Sequence, residues 1–268
     1  MENGTRWVEA NGVVSRIALS GAGESLLVMI HEMGGTLESW EPVVGALGRS
    51  RRILRYDVRG AGLSQKVRGT LSVEALADDL AALLDAVQAP GKVAVMGCAV
   101  GAAIAIQFAA SYRDRCSALI ATSPATGVKP ERRAALLARA DAVECEGSAA
   151  NLDERMARSY PQVLRTDPVR YAQVRASRAA ADPFGVAAAS RMLAGLDMTA
   201  TLRAIACPSL VLAGTYDGDR PPEGVAEVAA QISGAICKVL PTGHFMALQT
   251  PELLNREIED FLTHHTGT

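Results

Sequence analysis

A glycine-flanked turn, a carboxylate and a histidine are the residues of this chain whose types and spacing could do chemistry. In "KVAVMGCAVGAAIAIQFAA", residues 92–110, an apolar strand-like run meets a Gly-punctuated turn and then a helix of small residues. A turn of the form Gly-x-Ser-x-Gly thrusts its central side chain outward as a nucleophile, and its flanks are small because the backbone is crowded there. Gly97 and Gly101 hold the flanking positions, and the central residue is Ala99, which carries no nucleophilic group. Asp217 follows the run "SLVLAG" in "TYDGDRPP", with Asp219 its near rival, and His244 follows a Gly in "PTGHFMALQTPE". The order 99, 217, 244 is that of nucleophile, acid and base in one type of catalytic triad. The loop "IHEMGG" ends another apolar run, and its backbone N–H groups could line an oxyanion hole, with Met33 as one donor and Val100, just after position 99, as the other. Centring the turn on Cys98 instead would put Met96 and Val100 where small residues are needed, so Cys98 reads as a packed thiol.

The rest of the chain must position these groups. "RWVEANG" and "VVSRIALSG" read as antiparallel strands joined at Asn11-Gly12, a strong hairpin signal. "ESLLVMIHE", "RRILRYDVRG", "KVAVMG", "CSALIATSP", "CPSLVLAGTYD" and "AICKVLPTG" are further strands. Between them lie helical stretches: "TLESWEPVVGALG"; "LSVEALADDLAALLDAVQAPG" with Ser72 as N-cap; residues 99–112; residues 224–234; and a last helix from Thr250-Pro251. Strand–helix alternation specifies an α/β fold, with a mostly parallel sheet covered on both faces. From Pro124 to about Ile205 the alternation stops, and helices are expected at 131–146, 151–160, 167–181 and 184–195. The organisation is therefore a core of residues 1–124 and 205–268 with residues 125–204 inserted as a helical lid.

The chain has 268 residues and a formal net charge of −2, which gives no electrostatic case for nucleic acid or an anionic membrane. The N-terminus has no basic, then apolar, leader pattern, and the apolar runs fall far short of the roughly 20 residues that span a bilayer. The five cysteines are scattered without a C-x-x-C, so no disulfide framework or zinc site is expected, and a reducing, cytoplasmic setting fits. Cys116 and Cys207 read as small buried hydrophobes. A small-molecule substrate is the expected partner, a homodimer is compatible, and no cofactor or metal is expected.

Taken together, these motifs resemble the α/β-hydrolase superfamily over nearly the whole chain. "HEMGG" stands for its oxyanion loop, "YDVRGAGLS" matches its Asp-x-Arg-Gly-x-Gly-x-Ser loop, and "GCAVG", "TYDGDRPP" and "PTGHFMALQTPE" follow in order. The chain looks most like the lidded group with enol-lactonases, carbon–carbon bond hydrolases and aminoacrylate hydrolases. The resemblance implies an eight-stranded sheet, His244 as base, Asp217 as its orienting acid, and Met33 and Val100 at the oxyanion. Glu32 and Ser123 are candidate pocket residues. The chain departs from the pattern at Glu32, where the loop has a Gly, and at Ala99. Aminoacrylate hydrolases resemble it in carrying a small residue at the second position. Three functions stay open: a hydrolase of a small carbonyl or imine metabolite (ester, lactone, amide, enamine or C–C bond) working without a serine; a Ser-to-Ala inactivated serine hydrolase; and a non-catalytic small-molecule receptor. Among the remaining polar residues, His31 is read as structural, Asp57 and Arg59 as a loop-bracing pair, and His264 and His265 as solvated in a frayed tail. The arginines from Arg132 to Arg191 are read as solvated, apart from one that could meet a substrate carboxylate.

Overall fold

The computed structural model describes residues 3–266. Its strands are β1 (Gly4–Ala10), β2 (Val13–Gly21), β3 (Leu26–Ile30), β4 (Arg52–Tyr56), β5 (Val93–Cys98), β6 (Cys116–Thr122), β7 (Ser209–Gly214) and β8 (Ile236–Leu240). The helices are α1 (Glu41–Leu47), α2 (Val73–Ala86), α3 (Val100–Ser111), α4 (Pro130–Glu146), α5 (Leu152–Ser159), α6 (Pro168–Ala179), α7 (Pro183–Gly195), α8 (Thr199–Arg203), α9 (Pro222–Ala229), α10 (Met246–Gln249) and α11 (Pro251–Thr266). Asn11 and Gly12 both have positive φ, so the two-residue turn matches the twist of the hairpin it joins, with Ala10 paired to Val13. The strands form one eight-stranded sheet in the order β1-β2-β4-β3-β5-β6-β7-β8, antiparallel at β1, β2 and β4 and parallel from β4 onward through β3 to β8.

This order locates a site before any side chain is considered. The chain leaves β3 toward β4 on one side, and leaves β5 toward β6 on the other. Right-handed crossovers then put α1 on one face and α2 and α3 on the opposite one. A crevice opens where the connections diverge, at the carboxyl ends of β3 and β5. The loops that flank it carry His31–Gly35 and Ala99–Val100.

The central strands are wholly buried apolar runs. Helix α3 is buried and apolar over most of its length, opening to solvent at its last turn, and its Ala102, Ala103 and Ala105 let it lie close to the sheet. Helix α2 is capped by Ser72, whose hydroxyl accepts the Ala75 N–H at 3.1 Å. Leu254, Ile258, Phe261 and Leu262 form the buried face of α11, as the spacing implies. That helix continues through His264 and His265, which are exposed as expected but belong to its last turn rather than to a frayed tail: both rings lie within hydrogen-bond distance of the carbonyl one turn earlier, at 2.6 and 2.9 Å. The segment between β6 and β7 is helical throughout, α4 to α8, close to the expected boundaries. Two local details differ from the sequence reading. Residues 37–40 form a tight 3-10 turn ahead of α1, started by a Thr36/Ser39 capping box. Helix α9 starts at Pro222 and ends at Ala229, ahead of the turn at Gly234. Among the described residues, no helix is long and apolar enough to cross a membrane.

The loop after β4 is organised by Asp57, but not through Arg59. The wholly buried Asp57 carboxylate accepts Arg16 Nε at 2.7 Å and Nη2 at 3.2 Å, and the N–H groups of Leu37 at 2.8 Å and Leu63 at 2.7 Å. Arg59 instead pairs with Asp79 on α2. Strand β2 lies beside β4, so Arg16 reaches Asp57 directly, while the turn carries Arg59 away toward α2. Gly62 is obligatory in this loop, since a Cβ there would sit 2.1 Å from Asp57 Oδ2. Asp57→Ala would leave Arg16 buried without its main partner and two backbone N–H groups unpaired. The expected loss is about 3–5 kcal/mol of stability in urea unfolding; a loss below about 1 kcal/mol would contradict the role given to Asp57.

Candidate active site

Position 99 has an unusual backbone. Ala99 has φ 52° and ψ −111°, a positive φ that non-glycine residues rarely adopt and that costs on the order of 1–3 kcal/mol. The surroundings enforce it. A Cβ on Gly97 would lie 2.1 Å from the Gly101 carbonyl oxygen, and one on Gly101 would lie 2.2 Å from that of Ile30. The Ala99 N–H donates to Thr122 O at 3.0 Å, and the Ala99 carbonyl accepts Ala125 N–H at 3.1 Å, so the turn is pinned on both sides. This is the sharp strand-to-helix bend that the Gly97/Gly101 spacing implies, with a methyl at its apex. Val100 is the first residue of α3, so its N–H has no acceptor within the helix.

Asp217 and His244 come together as the chain order suggests. His244 Nδ1 and Asp217 Oδ2 are 2.8 Å apart, and both residues are buried. Asp217 Oδ1 also accepts the N–H groups of Asp219 and Arg220, each at 2.9 Å. Burial works against charge on both partners. For His244, Asp217 outweighs that penalty and holds the imidazole pKa above its ordinary 6.5. For Asp217, His244 and the surrounding donors outweigh it and hold the carboxyl below its ordinary 3.8. The rival Asp219 is occupied elsewhere, by Arg158 at 3.1 Å and by the Ser159 hydroxyl. The loop of His244 is fastened to the turn at 99 through Cys98, whose thiol donates to the His244 carbonyl at 3.4 Å. Burial pushes the Cys98 thiol well above its usual range, consistent with a packed thiol.

The loop after β3 accommodates Glu32 by enclosing its side chain between Ser39 and α6. The carboxylate is buried, accepts the Ser39 hydroxyl at 2.9 Å and pairs with Arg178 of α6. Burial opposes its ionisation, but Arg178 overcomes this and keeps the acid below its usual range. Gly35 makes the room, since a Cβ there would meet Glu32 Oε1 at 2.5 Å. Arg178 thus departs from the expectation of solvated arginines; it is 8% exposed, and its guanidinium lies 4.7 Å from the centre of the Phe245 ring. Its Nε and Nη1 have no hydrogen-bond partner among the described residues. His31 is structural, as read. Its Nε2 accepts the Val58 N–H at 2.9 Å, so its Nδ1 must carry the proton donated to Glu32 O at 2.8 Å.

A cavity of about 990 Å³ lies between the loops after β3 and β4 and the inserted helices α6 and α7. Met33, Val100, Glu32 and Arg178 all line it. Ala99, Asp217 and His244 are not among its lining residues, although Ala99 adjoins Val100 in the chain. Ser123, expected in the pocket, is instead wholly buried outside the cavity lining. Its φ is positive, 47°, and its buried hydroxyl has no hydrogen-bond partner among the described residues. Sequence reasoning missed Arg178, because an arginine in an Arg-rich amphipathic helix gives no sign that it is the one facing inward.

A bent elbow with an empty apex, a His–Asp pair behind it and a crevice at the reversal of strand order define a protein of the α/β-hydrolase class. A family model described as serine aminopeptidase, S33, matches residues 22–242, and the chain belongs to that family. Similar curated proteins include a 3-oxoadipate enol-lactonase of Acinetobacter baylyi, 25% identical over 87% of this chain and 86% of its own. Another is a putative carbamate hydrolase, RutD, of Pantoea ananatis, 24% identical over 90% and 91%. Among solved structures, a thermophilic esterase from Thermogutta terrifontis aligns with TM-score 0.90 at 29% identity, covering 98% and 99% of the two chains. An enol-lactonase from Burkholderia xenovorans aligns at 0.89 and 26%, covering 96% and 100%.

The direction of the His244 shift fixes a pH dependence. A group whose folded pKa is raised lends stability that is full below its unfolded value near 6.5 and is lost as pH rises through the folded value. Asp217→Asn should therefore lower the His244 pKa in an NMR titration of the ring. The stability gap to the parent chain should be widest below pH 6.5 and shrink above it. An unchanged His244 titration in Asp217→Asn would contradict the assigned coupling.

Proposed function

We propose that this chain hydrolyses a small carbonyl or imine metabolite without forming an acyl-enzyme. The observation that carries this is the elbow at Ala99, kept in its strained shape while Asp217 and His244 stay paired at 2.8 Å beside it. With Nδ1–H donated to Asp217, His244 Nε2 is the basic nitrogen. In this reading a water takes the space above the Ala99 methyl and gives its proton to Nε2. Its oxygen adds to the substrate carbon, and the resulting oxyanion is met by the N–H groups of Val100 and Met33. Asp217 holds the imidazolium until the proton is passed to the leaving group. Triads stripped of a member keep roughly 10³–10⁴-fold catalysis over water. That suits an already activated ester, lactone, carbamate or enamine. Similar proteins named as enol-lactonases, esterases and a carbamate hydrolase support hydrolysis at such a carbon.

The inserted helices act as the lid, since α6 and α7 wall the cavity. Arg178 is the residue we assign to a substrate carboxylate, because it lines the cavity, its buried Nε and Nη1 lack a partner among the described residues, and Glu32 fixes its position. A second reading has one specific support: a bend that serves a nucleophile carries alanine, as it would in a Ser-to-Ala inactivated serine hydrolase.

Turnover of nitrophenyl esters, a lactone and a carbamate, with intact mass after fluorophosphonate treatment, separates these readings. Under the first, the chain turns over at least one substrate, His244→Ala lowers kcat/KM by about 10²-fold or more, and Cys98→Ala has little effect. Ala99→Ser should gain a fluorophosphonate adduct that the parent chain does not form. A parent chain silent on all substrates whose Ala99→Ser form labels and turns over esters would favour the inactivated reading. A folded Ala99→Ser protein that neither labels nor turns over would refute both. For the lid, Arg178→Met combined with Glu32→Gln should raise KM about tenfold or more for a carboxylate-bearing substrate, with little change for its neutral methyl ester. Equal changes for the two would remove the role given to Arg178.

A further inference from the structure

Cys116 opens β6 and Cys207 stands on the bend before β7, and their sulfurs are 3.8 Å apart. The two strands are parallel neighbours, so both thiols lie at the amino-terminal edge of the sheet, opposite to the edge that carries Ala99 and Asp217. The pair is unlike the other cysteines. Cys145 and Cys237 are exposed without a nearby thiol among the described residues, and Cys98 is enclosed behind the elbow. Cys116 is buried, whereas Cys207 is partly open to solvent. The two residues are 91 positions apart and bracket the whole inserted segment, α4 to α8.

We propose that Cys116 and Cys207 are a reversible dithiol site that a small hydroperoxide oxidises to an intrachain disulfide, closing the inserted helices into a covalent loop. The roles follow from access. Cys207, reachable from solvent, attacks the peroxide as a thiolate. Its sulfur bonds to the distal oxygen, the O–O bond breaks, and the departing alkoxide or hydroxide takes a proton. Cys207 is then a sulfenic acid. Cys116, shielded from peroxide but in contact with the same sulfur, attacks it. The S–S bond forms, the S–O bond breaks, and the oxygen leaves as water with the Cys116 proton. The net reaction consumes one hydroperoxide and two thiols and yields one disulfide, one alcohol or water, and one water. The contact between the two sulfurs lowers the Cys207 thiol and raises that of Cys116, in line with this division. Closing the sulfurs from 3.8 Å to a bond of about 2.05 Å needs a modest shift, and Cys207 lies on a bend with no ladder of its own to break.

The location sets the consequence. The staple joins the start of the strand before the inserted segment to the bend before the strand after it, so it restricts the unfolded chain over a long loop without touching the cavity. Oxidation should raise thermal stability and leave turnover unchanged.

The test treats the full-length chain with hydrogen peroxide, alkylates free thiols, and reads intact and peptide mass with and without reductant. The expected result is a loss of two hydrogen masses, a linked peptide pair containing Cys116 and Cys207, and reversal by dithiothreitol. Cys145 and Cys237 should remain alkylatable in the linked species. Cys116→Ser should stop at a dimedone-reactive sulfenic acid on Cys207, and Cys207→Ser should form no link. The oxidised parent should melt a few degrees above the reduced one, with no such gap in Cys207→Ser. The proposal is overturned if the parent forms no Cys116–Cys207 link, if the link joins other cysteines, or if Cys207→Ser shows the same oxidative melting shift.

Discussion

The crossing of β5 and α3 leaves almost no space between backbones. Gly101 lies against the carbonyls of Ile30 and His31, and Gly97 against the carbonyl of Gly101. With no room for a methyl at either place, the chain between them can turn only one way, and residue 99 takes φ 52°. The burial of α3 holds this strain in place, since its apolar residues are enclosed on every side. The same closeness sets the loop after β3 against the first turn of α3, so that Met33 and Val100 share one end of the cavity. The crevice predicted by strand order is thus given its dimensions by two glycines.

Apolar packing, charge and small residues together join the inserted helices to this framework, with Leu136, Met192, Leu193, Met198 and Leu202 part of the main buried cluster. The start of α7 meets the loop after β4 at Gly185, where a Cβ would lie 2.0 Å from Gly60 O. Arg178 of α6 reaches Glu32 in the loop after β3, and Arg158 and Ser159 of α5 reach Asp219 beside the acid of the His–Asp pair. A small apolar cluster of Leu152, Met156, Tyr160, Leu164, Val174, Phe245 and Leu248 adds a second seam, between the insertion and the loop after His244. Buried ion pairs add less stability than apolar packing of equal volume, but they fix orientation, because a guanidinium leaves its carboxylate only at a large penalty. Helices held this way are tied at the positions that border the site.

Much of this was legible in the residues. The hairpin at Asn11-Gly12, the cap at Ser72, the buried strands and the helical insertion all follow from local chemistry: turn residues, side-chain acceptors and apolar period. The elbow was legible because Gly97 and Gly101 are demanded by contacts within a short stretch of chain. Asp217 and His244 were legible from order and from their place after strands. What sequence could not supply were partners chosen across the fold. Asp57 and Arg59 are two residues apart, yet each pairs with a third residue, because β2 runs beside Asp57 and α2 beneath Arg59. Ser123 follows a strand on the favourable edge, but a positive φ turns it inward. Arg178 looks like its neighbours in α6 until the helix is docked. In each case side-chain direction is set by tertiary packing that no local pattern encodes.

The methyl at position 99 changes what the remaining groups can contribute. A serine hydroxyl is delivered by the backbone, so its attack begins with orientation already fixed; a water in its place must be held by hydrogen bonds and by the substrate itself. In the proposed reaction His244 Nε2 and the N–H groups of Val100 and Met33 would hold it, and both act through electrostatics, which gain strength when solvent is excluded. The insertion therefore matters more to a chain with Ala99 than it would to one with a serine. In the proposed reaction its part would be to exclude solvent and limit the positions a water can take. A reaction run this way makes its rate depend on the reactivity of the substrate carbon and on how firmly the rest of the substrate is gripped. In this chain the grip would fall to the charged wall formed by Glu32 and Arg178.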